Sequence, residues 1–156
     1  MGDDIIYGHE YGGFGESLYG DFRFELEGEI AFAEGGEDKI YGSDNLTDDQ
    51  IIRGGKGDDF ILTGSNIAGE INVAGDIASA FANFPLSPGV DSLPDGDDII
   101  EVGNNNTGVN VVGGGGNDKI IGGWGVNQID KLYGGLGDDK IWLVNPEERM
   151  FEDNAD

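Results

Sequence analysis

The stretch GGGGNDKIIGGWGVNQIDKLYGGLGDDKIWL, from Gly113 to Leu143, decides how the chain is read. It carries a nine-residue unit, G-G-x-G-x-D-x-U-x with U a large aliphatic residue, complete at Gly113 to Ile121 and again at Gly134 to Trp142. A third complete copy, GGKGDDFIL, runs from Gly54 to Leu62. Glycine at the first, second and fourth positions lets the backbone take positive φ with no Cβ in the way, so carbonyl oxygens are free to point inward. Those glycines are Gly54, Gly55 and Gly57 in one copy, Gly113, Gly114 and Gly116 in the next, and Gly134, Gly135 and Gly137 in the last. The Asp at position six adds a carboxylate, and the aliphatic residue two places on faces the other way, as alternation along a strand requires. Each unit is one turn and one very short strand.

Carbonyl oxygens and carboxylates at a fixed spacing suit a hard cation. Ca²⁺ takes roughly six to eight oxygen ligands and tolerates irregular geometry better than Mg²⁺. The nonapeptide resembles the calcium-binding repeat of the RTX, or hemolysin-type, family of type I secreted bacterial proteins. The resemblance covers about two thirds of the chain and implies an all-β fold, a right-handed parallel β-roll or β-solenoid with calcium in its turns. In that family successive nonapeptides alternate between two sides of a flattened roll, and stacked position-six aspartates share an ion. Carried over, Asp118 and Asp139 are the leading ligands, followed by Asp130, Asp59, Asp49, Asp38 and Asp98, with Asp4 in a half-unit and Asn127 in a position that departs from the pattern.

Composition agrees with a cation-binding role. The 156 residues carry 32 acidic against 8 basic side chains, a formal charge of −24, which opposes binding to nucleic acid or anionic membranes. Thirty glycines with only 4 prolines and no strict third-residue period exclude collagen. The absence of cysteine excludes disulfides and thiolate metal sites. No apolar run is long enough to span a bilayer as a helix, so membrane insertion is not expected. Met1 is followed at once by Gly2 in mid-repeat, which suggests a piece of a longer protein with neighbouring domains.

Taken in order, GDDIIYG at residues 2 to 8 is the second half of a unit, with Asp4 and Ile6 at the key positions. Residues 9–34 interrupt the pattern. There Phe22, Phe24, Leu26, Ile30 and Phe32 fall on one parity, and Glu27-Gly28 suggests a hairpin turn. Repeats resume with Asp38 and Ile40, then Asp49 and Ile51, then Asp59 and Ile61. Residues 65–95 form a second insert. Within it Ile67, Ile71 and Val73 suit metal-free rungs, while Asp76 before Ile77, Phe81 and Phe84 reads as the cap of a short helix. Asp98 and Ile100 return to phase, and Asn104 to Asn106 replace aspartate in a degenerate rung. The phase between Gly122 and Gly134 is ambiguous: Asn127 and Ile129 fit one register, Asp130 and Leu132 the next. Residues 144–156 suggest a cap, with a short helix opening at Asn145-Pro146.

Eight aspartates, Asp4, Asp38, Asp49, Asp59, Asp98, Asp118, Asp130 and Asp139, are each followed two residues later by Ile or Leu. A metal-free solenoid with solvating aspartates would not need a carboxylate at one offset, because stacked like charges repel. The expected function is a non-catalytic calcium-binding module of a secreted or cell-surface protein that folds on meeting calcium outside the cell. The alternatives are an adhesin-like module taking a polysaccharide or protein at the inserts, and a structural repeat of an extracellular layer. The single histidine, His9, and the lack of G-x-S-x-G, H-E-x-x-H or phosphate-loop motifs argue against an enzyme.

Overall fold

The computed structural model describes residues 3–8, 15–20, 24–26, 29–31, 36–76, 96–125, 128, 130–144 and 149–151. These form fourteen strands and no helix. Six short strands make the first sheet: β1 (Ile5–Tyr7), β5 (Lys39–Tyr41), β7 (Phe60–Leu62), β9 (Ile99–Glu101), β11 (Lys119–Ile121) and β13 (Lys140–Trp142), neighbours in that order. The second sheet runs β2 (Glu16–Tyr19), β6 (Gln50–Gly55), β8 (Ile71–Asp76), β10 (Val109–Gly115), β12 (Asp130–Leu136) and β14 (Arg149–Phe151). All pairings within these two sheets are parallel, and the chain steps from one sheet to the other at every coil. This is the arrangement of a flattened parallel solenoid. The remaining pair, β3 (Phe24–Leu26) and β4 (Glu29–Ala31), is antiparallel.

Strands of three residues have little to hold them alone; stacking does it. The aliphatic residue of each repeat lies in one column, Ile6, Ile40, Ile61, Ile100, Ile120 and Ile141, matched rung by rung. Its four inner members, Ile40, Ile61, Ile100 and Ile120, are 0% exposed. A second column, Leu18, Ile52, Val73, Val111 and Leu132, joins it from the other sheet in one core cluster. Burying one such side chain contributes about 1.5–3 kcal/mol, so the rungs stabilise one another and the end rungs least.

Both inserts are smaller than their sequences suggested. β2 lies inside residues 9–34 yet pairs with β6, so a full rung sits there. Residues 65–76 are also solenoid: Ile67, Ile71 and Val73 are buried rung residues, as expected. Asp76 is the last residue of β8. The helix expected from Ile77 through Phe84 lies outside the described residues. β3 and β4 pair antiparallel, with Glu25 opposite Ile30 and Phe24 opposite Ala31, while Glu27-Gly28 lie outside the described residues. That register reverses parity between the two strands, so the apolar alternation does not run through both. At the C-terminus, Arg149–Phe151 pairs with β12 as a strand, and so does not continue a capping helix. No helix of the described residues is long and apolar enough to cross a membrane.

Candidate metal centre

The nonapeptide glycines divide the labour. Gly55, Gly57, Gly114, Gly116, Gly135 and Gly137, the second and fourth of each unit, have φ between 98 and 132°, a region that L side chains rarely enter. The first glycine has another duty. A Cβ on Gly54, Gly113 or Gly134 would collide with Oδ2 of Asp59, Asp118 or Asp139, the position-six aspartate of the same turn. Gly20 stands in the same relation to Asp38, and Gly75 to Asp98.

Six of the expected ligands stack at one edge of the solenoid. Oδ1 of each aspartate accepts the backbone N–H of the aspartate one turn earlier: Asp4 to Asp38 at 2.8 Å, Asp38 to Asp59 at 2.8 Å, Asp59 to Asp98 at 2.8 Å, Asp98 to Asp118 at 2.9 Å and Asp118 to Asp139 at 2.9 Å. Within this ladder the coil length is 21 residues from Asp38 to Asp59, 20 from Asp98 to Asp118 and 21 from Asp118 to Asp139. From Asp59 to Asp98 it is 39, because residues 77–95 intervene. Position five makes a second, exposed ladder of opposite polarity: the Asp97 amide donates to Asp58 Oδ1 at 2.9 Å, Asn117 to Asp97 at 2.7 Å and Asp138 to Asn117 at 3.0 Å.

The inner ladder is electrostatically loaded. Asp98 and Asp118 are each 1% exposed, and their Oδ2 atoms are buried without a hydrogen-bond donor. Beside them lie further acceptors. The point a Cβ of Gly75 would occupy touches Asp98 Oδ2 and lies 2.6 Å from the Gly113 carbonyl oxygen; the matching point at Gly113 touches Asp118 Oδ2 and lies 2.5 Å from the Gly134 carbonyl oxygen. Burial pushes the Asp98 carboxyl from 3.8 up to about 10, with Asp76, Asp118 and Asp59 adding repulsion and the hydrogen bond with the Asp59 amide opposing. Burial likewise raises Asp118 to about 8, with Asp139, Asp76 and Asp97 reinforcing and the Asp98 amide opposing. Asp139 is also raised, by burial first. Ionised acceptors facing acceptors require a proton or a cation between them.

Two expected ligands lie elsewhere. Asp49 is exposed on the opposite edge, where it accepts the Glu70 amide at 2.8 Å. Its partner Ile51 is only half-buried, and Ile52 faces the core instead. Asp130 is fully buried but already satisfied, by the Gly123 amide at 2.9 Å and by Gln128 Nε2 at 3.1 Å. The extra residues that made the phase ambiguous move these two aspartates off the ladder. Asn127 lies outside the described residues.

That opposite edge is built differently. Asn45, Asn66 and Asn105 turn it with φ near 60°. Beneath them Asn106 donates to the Gly64 and Gly103 carbonyls at 3.0 Å each, and accepts the Ile67 amide at 2.9 Å. Amides there pair with asparagine, glutamine and carboxylate oxygens alike, while the buried Oδ2 atoms of Asp98 and Asp118 lie on the other edge. The family resemblance implied aspartate turns on both sides; the register stacks them on one.

Asp76 escaped the sequence reading. It pairs with Gly55 and so holds the place of a second glycine. Setting INVAGD under QIIRGG would have revealed it. Among the described residues no three acidic side chains sit closely enough to hold a metal by carboxylates alone. Carbonyl oxygens must complete any shell. No protein-family model, curated protein or solved structure matches this chain.

Proposed function

We propose that the chain is a non-catalytic calcium-binding solenoid module of a secreted or cell-surface protein, completed in its fold by calcium outside the cell. The observation that carries this is the pair of buried Oδ2 atoms of Asp98 and Asp118, which accept no hydrogen bond and lie beside glycine carbonyls. Asp59, Asp98, Asp118 and Asp139 would supply carboxylate oxygens and Gly113 and Gly134 carbonyl oxygens. A set of oxygens alone suits Ca²⁺ over softer transition metals. Asp38 and Asp4 continue the column toward its other end. The winding is taken as right-handed, the hand of nearly all crossovers between parallel strands of one sheet. The turn keeps the resemblance to RTX repeats, while the asparagine edge and the longer coils depart from a roll of paired nonapeptides. Circular dichroism in EDTA and in a few millimolar Ca²⁺ tests the reading, because extracellular calcium modules bind at about 10⁻⁴ to 10⁻³ M. Cooperative gain of β-structure on adding calcium is expected; a full β-spectrum in EDTA with no calcium transition would overturn it.

One observation favours a second reading, a ligand-binding module. The outer face of the first sheet gathers Lys39, Lys119 and Lys140, three of the chain's 8 basic residues, onto one column. Beside them Tyr7 stacks on Tyr41 at 5.0 Å, and Lys119 Nζ lies 5.5 Å from the Trp142 ring. Exposed rings beside ammonium groups suit an anionic polysaccharide. Calorimetry with a polyuronate probe should show binding that Lys140→Ala and Trp142→Ala weaken without changing calcium uptake; no heat of binding eliminates this reading.

A further inference from the structure

Asp76 breaks the repeat beside two buried carboxylates of the inner ladder, Asp98 and Asp118. At the matching position Gly55 has φ 126°, and Gly114 and Gly135, at the same place in later turns, have 132 and 112°. Asp76 is 5% exposed and spans two successive turns: Oδ1 accepts the Gly96 amide at 3.4 Å and Oδ2 the Gly115 amide at 3.2 Å. A Cβ on Gly114 would lie 2.7 Å from Asp76 Oδ2, so the facing glycine is needed to admit this carboxylate. Asp76 is bonded to Gly75, against whose Cα Asp98 Oδ2 is aimed, and Gly114 follows Gly113, against which Asp118 Oδ2 is aimed. Asp98 Oδ2 and Asp118 Oδ2, both buried without donors, therefore flank it.

We propose that Asp76 makes the step between the turn ending at Asp98 and the turn ending at Asp118 the tightest divalent-cation site of the ladder. The inference rests on the calcium reading and adds to it a residue that the repeat does not supply. Other steps offer two position-six carboxylates and glycine carbonyls; at this one a third carboxylate adds its charge beside the shell, not as a further ligand, and acts on both Asp98 and Asp118. Negative charge next to a buried oxygen site draws a divalent cation whether or not it ligates. The two amides that Asp76 accepts hold it at the junction before an ion arrives, so little ordering remains to oppose binding.

The test is calorimetric titration of the calcium-stripped full chain with CaCl₂, for wild type, Asp76→Gly, Asp76→Asn and Glu70→Gln. Asp76→Gly restores the repeat residue. Asp76→Asn keeps the shape and the acceptor oxygen, and so remains informative if the glycine variant folds poorly. Glu70→Gln removes one exposed charge from the opposite edge. Both Asp76 variants should weaken the tightest step by roughly tenfold or more and leave later steps in place, while Glu70→Gln leaves the tightest step at its wild-type affinity. A wild-type affinity in both Asp76 variants, or equal weakening by Glu70→Gln, overturns the role of Asp76 alone. A wild-type chain that takes up no calcium overturns the functional reading beneath it.

Discussion

A single aspartate in the inner ladder does two separable jobs. Oδ1 of Asp118 accepts the Asp98 amide at 2.9 Å, while Oδ2 is buried without a donor. Asp118→Asn should keep the first and lose the second. In EDTA at neutral pH its melting temperature should equal or exceed that of wild type, since the amide can be buried without taking up a proton. In calcium it should be less stable and bind at least one ion fewer by calorimetry. Ile120→Ala, one strand residue away, should instead cost about 2–5 kcal/mol in both conditions by opening a cavity, with calcium stoichiometry unchanged. The pH response follows from the raised carboxyls. The folded chain without calcium holds protons on Asp98 up to about 10 and on Asp118 up to about 8, against 3.8 ordinarily. The stability that these two groups contribute is therefore complete below the ordinary value and declines as pH rises toward those figures. Urea midpoints in EDTA should be higher at pH 5.5 than at pH 8.5. Saturating calcium should reverse the trend, because protons then compete with the ion.

At the scale of elements, the two edges of the solenoid solve one problem by different chemistry. Every coil must bend sharply twice and satisfy the amides exposed in bending. The aspartate edge pairs each amide with a carboxylate of the next turn and leaves negative charge behind. The asparagine edge is built around Asn106, which both donates and accepts. Asn106→Ala should therefore leave the Ile67 amide and the Gly64 carbonyl short of partners in the interior, at a cost of about 1–3 kcal/mol or more. Its calcium stoichiometry should equal that of wild type. Loss of an ion from this variant would show that the second edge also holds metal.

For the whole molecule, the decisive quantity is a charge of −24 on a fold of very short strands. Self-repulsion and the entropy of ordering oppose the folded state, and the rungs bury their aliphatic columns only when several are stacked. At millimolar calcium a site with a dissociation constant near 10⁻⁴ M contributes about 1.4 kcal/mol, and at submicromolar calcium it contributes about nothing. On the proposed calcium reading, a ladder of such sites would couple folding to the calcium level rather than to any one contact. Deleting residues 77–95 with a short glycine linker should leave the calcium-dependent transition intact, because β8 and β9 are placed by pairing with β6, β7, β10 and β11. Loss of the transition would make that segment part of the folding unit.

The sequence by itself determined the repeat, the aliphatic column and six members of the aspartate ladder, because local turn chemistry and strand alternation are written at fixed offsets. Asp59, Asp118 and Asp139 and their glycines could be found by counting. Counting failed where a coil gained residues: Asp49 and Asp130 keep the D-x-I/L spacing but lie on the other edge, since the spacing records a strand and not which edge precedes it. Asp76 was hidden for the converse reason. It lacks the repeat's glycine, and only parallel register with Gly55 shows whose place it takes. Whether an aspartate is satisfied, as Asp130 is, or left facing other acceptors, as Asp98 and Asp118 are, depends on which turn stacks against it. That is a property of contacts between coils some twenty residues apart, and only the tertiary structure decides it.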